Sequence, residues 1–365
     1  MWLTMWQRLV VICLLACAIP AAPAADEPLR EAESLLLAQR TRPDVAQFER
    51  AKGIVEVELR RRPGEAQGWT LLAWVRMSEH RFLAALDAAR RADTLAPDEP
   101  RALALMSDAL TELGRYDEAV AITQCLADLD PGAPAWIRIA RLRFLRADMD
   151  GAIQLMAKAA RAGEARGEAS AWAWLELARL YLLAGQASAA DQAIAAAQRA
   201  YPGLPAILPA QARLRLAQGD SRAALDLYRQ ALAARPSAEE ALAAWRLARQ
   251  IGQAGPEKHY AALLEGLAKL DAGGLSRRAL AEYFAESGQS QRALAPAREE
   301  FAARPDLYSH ATLARVLHRA GDVPQARQHA RAALALNTPD PQLRTDMDKI
   351  MGTILAPVPG AEARE

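Results

Sequence analysis

Residues 171–204 read AWAWLELARLYLLAGQASAADQAIAAAQRAYPGL, and they contain the clearest structural pattern in the chain. Its large apolar residues recur every three or four positions, a spacing that places them on one face of an α-helix. A glycine interrupts the pattern, a second helical pattern follows, and a proline ends it because proline cannot continue the hydrogen-bond ladder. The marker positions are Trp174, Leu177, Ala178, Tyr181, Gly185, Ala190, Ile194, Ala197 and Pro202. The stretch predicts two helices joined by a turn.

The same pattern returns along most of the chain. Pro97 and Pro131 are 34 residues apart, and so are Pro202 and Pro236. An alanine stands twelve residues before each closing proline, and these alanines are Ala85, Ala119, Ala190, Ala224 and Ala293. A glycine precedes most of them by five residues, at Gly114, Gly185, Gly219 and Gly288. A fixed period of this length indicates a repeat architecture in which stacked units share one continuous core.

The pattern resembles the tetratricopeptide repeat (TPR), in which W-x2-L-G-x2-Y is followed by A-x3-F, then A, then P. The resemblance implies an all-α fold, a right-handed superhelical α-solenoid of about eight to nine helix–turn–helix TPR units with a C-terminal capping helix. The predicted divisions are a signal peptide at 1–24, a degenerate N-terminal repeat or cap at 25–65, a TPR array at 66–338, a capping helix at 339–355 and a disordered tail at 356–365.

The N-terminus has the pattern of an export signal. One positive charge at Arg8 precedes an apolar run at 9–19 and a small-residue end in which Ala22 and Ala24 fit a cleavage site. We therefore predict an exported, periplasmic protein. Two alternatives stay open: Leu14-Leu15-Ala16-Cys17 resembles a bacterial lipobox, which would anchor a lipoprotein to the membrane through Cys17, and the segment could also remain as an uncleaved anchor.

Composition and missing motifs argue against catalysis and nucleic-acid binding. The 45 basic and 44 acidic residues nearly cancel, whereas a surface built for nucleic acid is usually basic. Nucleotide, hydrolase and metalloprotease motifs are absent from the sequence. His310, His318 and His329 share the last repeat without the spacing of a metal site. We expect no enzyme, no cofactor and no metal, and we expect Cys125 to be a buried packing residue.

The resemblance also indicates where a ligand would bind. In TPR proteins the concave groove is lined mainly by positions 2, 5, 9, 12 and 13 of the first helix of each unit. Arginine stands at position 9 in three successive units, and its planar donor fork suits carboxylates and phosphates. Tryptophans off the packing consensus add flat apolar surfaces. The candidate groove residues are Arg141, Arg179, Arg213, Arg315, Trp74 and Trp172, with Tyr308 as a further aromatic.

A plainer explanation of the arginines exists, because the chain contains 40 Arg and only 5 Lys, so that arginine is its ordinary helix cation. Four other tryptophans fall on packing positions and are expected in the core: Trp69, Trp136, Trp174 and Trp245. We therefore hypothesise that the protein is a non-enzymatic interaction scaffold of the bacterial envelope. Its groove would bind an extended peptide or a helix of a partner protein, and that partner would belong to an envelope assembly or secretion machinery. The alternative is an anionic polysaccharide in the same groove, as part of surface-polymer assembly or export. The oligomeric state is left open.

Overall fold

A computed structural model describes residues 27–162, 167–271 and 274–352. The predicted signal peptide at 1–24, with Cys17, and the predicted disordered tail at 356–365 lie outside the described residues. The described helices are α1 (Glu27–Ala38), α2 (Val45–Arg61), α3 (Ala66–Ser78), α4 (Phe82–Leu95), α5 (Pro100–Glu112), α6 (Tyr116–Leu129), α7 (Ala133–Leu145), α8 (Met149–Ala162), α9 (Glu168–Leu183), α10 (Ala187–Ala200), α11 (Ile207–Ala217), α12 (Ser221–Ala234), α13 (Ala238–Gln250), α14 (Ala254–Leu270), α15 (Arg277–Glu286), α16 (Ser290–Ala303), α17 (Leu307–Arg319), α18 (Val323–Leu334) and α19 (Pro341–Gly352).

These helices form nine successive pairs over the described ranges, which we number units 1 to 9, and α19 packs on the last pair. The first helix of each unit packs against the second, and in most units it also packs against the first helix of the next unit. The all-α solenoid expected from the sequence is confirmed, and α19 lies within the segment 339–355. None of the described helices is long and apolar enough to cross a membrane.

The turns within the units explain the recurring glycine. Gly185 and Gly219 both have positive φ, at 73° and 82°, a left-handed conformation that glycine adopts without steric cost. Units 2 and 4 have no glycine at this turn, and His80 and Ala147 take the left-handed conformation there instead. The turn geometry is therefore kept even where the sequence marker is missing.

The core runs through the whole array as two hydrophobic clusters that meet at α7. Ala135 and Leu142 belong to the N-terminal cluster, whereas Ala140 and Phe144 belong to the C-terminal one. Trp245 is buried as expected. The other three packing tryptophans, Trp69, Trp136 and Trp174, are only partly buried against these clusters.

The expectation that Cys125 is buried is wrong. Its side chain is exposed on α6. The buried face of this helix consists of Ala119, Thr123 and Leu126, which recur at helical spacing. Cys125 follows Thr123 by two residues and therefore falls on a different face.

The superhelix closes on itself, because its early units contact its late ones. The Tyr116 hydroxyl accepts a hydrogen bond from the Leu307 backbone N–H at 2.9 Å, across 191 residues of sequence. The Thr338 hydroxyl donates to the Leu145 carbonyl at 2.5 Å, across 193 residues. We call this zone, where the α5–α6 and α7–α8 turns meet the α16–α17 and α18–α19 loops, the seam. It places residues of units 3, 4 and 5 opposite residues of units 8 and 9.

Candidate functional site

Two of the predicted arginines line a cavity enclosed by the seam. This central cavity has a volume of about 430 Å³ and is bounded by α5, α7, α9 and the α16–α17 loop. Arg141 and Arg179 enter it from α7 and α9, while Arg304 enters it from the opposite side. Apolar side chains such as Phe144 form the remaining wall.

Arg141 is already neutralised by the protein. Its Nη2 lies 2.5 Å from Oε1 of Glu112, whose side chain is fully buried. Arg304 pairs with the same carboxylate across the seam, and its Nε lies 3.3 Å from Oδ2 of Asp306. Burial alone would raise the pKa of the Glu112 carboxyl, but Arg304 and Arg141 outweigh burial and lower this pKa. The cluster is therefore an ionised network that joins unit 3 to the α16–α17 loop.

Arg179 also has an internal partner, in its own helix. Its Nε lies 2.9 Å from Oε2 of Glu176, and its guanidinium lies 5.1 Å from the centre of the Phe144 ring. Burial would raise the pKa of the Glu176 carboxyl, yet Arg179, Arg141 and Arg213 together lower it. The charges of three arginines from successive units therefore act on one carboxylate, and we call Arg141, Arg179 and Arg213 the arginine rung.

A larger chamber is lined by Arg213, the last arginine of the rung. This N-terminal chamber has a volume of about 1190 Å³ and lies between the α1–α2 loop and units 5 to 7. Trp172 and Arg213 line it together with apolar residues that include Leu204. A salt bridge of 3.1 Å between Arg40 and Glu168 joins the α1–α2 loop to α9 beside it.

The charges of the N-terminal chamber differ from those of the central cavity. Arg213 is exposed, and it forms no ion pair with any residue in the described ranges. Its acidic neighbour Glu240 has a raised pKa, because burial and then the charge of Glu239 disfavour the ionised form. Trp172 is half-buried on the chamber wall, and its side chain favours the ionised form of Glu168, although burial raises the pKa of that carboxyl overall. The chamber wall thus contains an aromatic ring and an arginine that forms no ion pair within the described ranges.

The remaining candidate residues lie elsewhere. Trp74 is only 3% exposed and belongs to the core, so the expectation that it faces the groove is wrong. The physical reason is that α3 buries residues on nearly all its sides, and burying a large ring is more favourable than exposing it. Arg315 is held by two carboxylates, with its guanidinium 2.5 Å from Glu282 and 3.5 Å from Asp346.

Some site residues were not found by sequence reasoning. Glu176 stands three residues before Arg179, a spacing that pairs side chains on one helix, so this signal was available. Glu112 and Arg304 meet only through the closure of the superhelix, which no local pattern indicates.

Two of the three clustered histidines do approach each other. The Nδ1 atoms of His310 and His329 are 2.9 Å apart, and the Phe301 ring packs against both imidazoles. Burial lowers the pKa of each imidazole. Among the residues that the structure describes, no group of three or more His, Cys, Asp and Glu side chains is arranged to hold a metal ion.

The architecture defines the class of protein first: an α-solenoid of helix–turn–helix units that encloses its own concave surface. No protein-family model and no curated protein sequence matches the chain. Solved structures resemble it over most of its length. The human IFIT1 dimer with PPP-AAAA aligns at 18% identity over 85% of this chain and 72% of that one, with a TM-score of 0.55. Yeast Tom70 aligns at 17% identity over 93% and 70%, with a TM-score of 0.54.

The Cut9–Hcn1 structure of the APC/C hetero-tetramer aligns at 14% identity and a TM-score of 0.53. The match covers 90% of this chain but 63% of that one, so the chain spans less than two thirds of the protein it resembles. These neighbours are TPR-type solenoids. Together with the recurring sequence markers, they show that the chain has the tetratricopeptide-repeat fold.

Proposed function

We propose that the protein is a non-enzymatic interaction scaffold that binds an extended peptide or a helix of a partner protein inside its superhelix. Two findings support the proposal. The TPR fold is one whose structural neighbours are interaction scaffolds, and stacked helical repeats create extended concave surfaces for partners. The interior contains a chamber large enough for several side chains.

The N-terminal chamber is the observation that carries the proposal. Protein pockets combine apolar walls with a few well-placed polar groups that fix the orientation of a ligand. Trp172 supplies a flat apolar surface, and Arg213 supplies an exposed charge. The central cavity is less suited to a partner, because Glu112 and Glu176 already neutralise Arg141 and Arg179.

We place this activity in the bacterial cell envelope. The charged start, the short apolar run and the small residues before Ala25 support export, with lipidation at Cys17 as the alternative form of the mature N-terminus. An intact mass of the purified protein separates the two, because cleavage near Ala24 and a lipid on Cys17 give different masses. The polysaccharide alternative has less support, because the core position of Trp74 removes one of its two stacking rings.

A capture experiment tests the proposed function. The wild-type protein and a Trp172→Ala/Arg213→Gln double variant are used as baits in envelope extract, and bound proteins are identified by mass spectrometry. Arg229→Gln is the matched control, because Arg229 is an exposed arginine on α12 outside the chamber. We expect the wild type and the control to capture the same partner and the double variant to lose it. Equal capture by the double variant would contradict the proposed site.

A further inference from the structure

We propose that a cavity beside the seam binds a single-chain amphiphile, an acyl chain whose head group is a carboxylate. We call it the apolar cavity, and its volume of about 720 Å³ lies in the range of about 300–1,000 Å³ that is common for small-ligand sites. The inference goes beyond the proposed function, because it concerns another cavity and another class of ligand. Among their lining residues, the apolar cavity and the N-terminal chamber share only Glu49.

Two distant parts of the chain form the walls of the apolar cavity. Units 1 and 2 contribute α2, the α3–α4 turn and the start of α4, whereas Leu275 comes from the α14–α15 loop of the late units. Leu113 of the α5–α6 turn and Pro305 of the α16–α17 loop belong to the seam and line the cavity as well. A ligand in this cavity would therefore contact early and late units at once and stabilise the closed superhelix.

The apolar walls are already packed in place. Phe48, Phe82 and Leu275 are buried side chains that line the cavity. The Phe82 ring stacks on the His80 imidazole with 5.4 Å between the ring centres, and the Arg304 guanidinium lies 5.5 Å from the centre of the same ring. Because these contacts hold the wall before any ligand arrives, an acyl chain would bind without first ordering it, which favours affinity.

Leu83 extends this wall to the surface. It is 60% exposed, more than any other large apolar side chain in the described ranges. It follows Phe82 directly in α4 and lines the same cavity. An acyl chain lying along Leu83 would remove this apolar surface from water, and each methylene that is buried raises the affinity by up to about fourfold.

The charges at the rim disfavour a highly charged ligand. Three cations and three anions line the cavity, and their charges cancel: Lys52, Arg81, Arg277, Glu49, Glu79 and Asp87. Nε of Arg277 already lies 3.1 Å from Oε2 of Glu299, and the charge of Asp87 acts on Arg115. A polyanion would therefore meet no net attraction at this rim, whereas a long uncharged chain would meet apolar walls.

Arg81 is the cation that remains available for a single carboxylate. Its neighbour Glu79 receives hydrogen bonds on both carboxylate oxygens, at 2.7 Å from Lys52 and at 2.7 Å from Arg76. The guanidinium of Arg81 lies 3.8 Å from the Glu79 carboxylate, beyond hydrogen-bond distance, and its side chain is 59% exposed. A guanidinium binds a carboxylate through two parallel hydrogen bonds, so Arg81 would hold the head group while the apolar wall contacts the chain.

A displacement titration tests the inference. A dansyl-labelled undecanoic acid is bound to the protein, and its fluorescence is followed as unlabelled dodecanoate, octanoate or dodecanol is added. We expect dodecanoate to bind at least about tenfold more tightly than octanoate, because octanoate has fewer methylenes to bury. Dodecanol should bind about fivefold more weakly than dodecanoate, because it lacks the carboxylate that pairs with Arg81.

Two variants identify the cavity, and both replace exposed side chains, so that the fold should be unaffected. Leu83→Gln and Arg81→Gln should each bind dodecanoate about fivefold more weakly, and Arg81→Gln should also lose the preference for dodecanoate over dodecanol. The matched controls are Leu129→Gln and Arg229→Gln, because Leu129 and Arg229 are exposed and do not line the cavity. Both controls should match the wild type.

Unchanged affinity of Leu83→Gln for dodecanoate would overturn the inference, and so would equal affinity of the wild type for dodecanoate and dodecanol, or no displacement by either. The Trp172→Ala/Arg213→Gln double variant should bind dodecanoate like the wild type. A loss in that variant with none in Leu83→Gln would place the amphiphile in the N-terminal chamber and contradict the inference. If Leu83→Gln fails to fold by circular dichroism, Leu83→Ala replaces it, and the same expectation applies. The capture experiment with envelope extract uses other residues and judges the proposed function independently.

Discussion

The seam makes a strong prediction about Glu112, whose carboxylate connects two distant parts of the chain. Arg141 of α7 and Arg304 of the α16–α17 loop both pair with it, and its side chain is fully buried. Replacing Glu112 by Gln removes the negative charge and keeps the volume. Two guanidinium groups then lose the carboxylate that compensated them in a largely buried site.

The expected loss of stability depends on the ion pairs that remain after the substitution. Breaking a buried pair by removing one partner costs about 3–5 kcal/mol, because an uncompensated charge remains. Arg304 retains Asp306 at 3.3 Å and Glu300 at 4.0 Å, so its loss is partial. We therefore expect the lower end, a loss of about 3 kcal/mol in the free energy of unfolding, roughly a factor of 150 in the folding equilibrium.

Urea denaturation followed by circular dichroism measures this loss, and small-angle X-ray scattering shows whether the superhelix opens. We expect a lower urea midpoint and a larger radius of gyration before the main transition. Glu118→Gln is the control, because Glu118 pairs with Arg115 on the surface of the neighbouring helix and should leave both measurements unchanged. A loss below about 1 kcal/mol for Glu112→Gln would refute the claim that this cluster holds the superhelix closed.

Three further predictions concern single residues. Gly219→Ala should cost about 1–2 kcal/mol in thermal melts because Gly219 has φ of 82°, whereas Gly64→Ala should be neutral because a Cβ there meets open space. Arg278, Arg304 and the Ser309 hydrogen bonds outweigh burial and lower the pKa of Asp306 to about 2. The stability that the ionised Asp306 gives to the folded protein should therefore be present above about pH 4 and lost as pH falls toward 2. Asp306→Asn should flatten this acid dependence of the melting temperature; an unchanged profile would contradict it. Trp74→Ala should cost about 3–5 kcal/mol, whereas Trp172→Ala should weaken partner capture with a much smaller effect on the urea midpoint.

The repeat pattern predicted the architecture because it is encoded locally. The helical spacing of Trp174, Leu177 and Tyr181 corresponds to α9, and the stop at Pro202 follows the end of α10. The glycine marker does not identify every turn between the two helices of a unit. His80 and Ala147 adopt the left-handed turn that glycine marks elsewhere, and their sequence gives no sign of it.

The candidate site was only partly predictable, because it depends on contacts between distant units. Position 9 predicts that Arg141, Arg179 and Arg213 lie near one another, and the charges of all three lower the pKa of the Glu176 carboxyl. The same positional rule placed Trp74 on the groove, but a position in a repeat does not reveal how completely its neighbours cover it. The pairing of Glu112 across the seam depends on the pitch of the superhelix, which is a sum of small rotations over all units.

Site-specific photo-cross-linking tests the central claim, that a partner binds in the N-terminal chamber. A photoreactive amino acid replaces Gln211, which lines the chamber, or Asp226, which is exposed on α12 outside it. The captured partner is added, the sample is irradiated, and the cross-linked peptides are mapped by mass spectrometry. The account predicts cross-links from position 211 and none from position 226. Cross-links from position 226 alone would show that the partner binds outside the superhelix and would contradict the account.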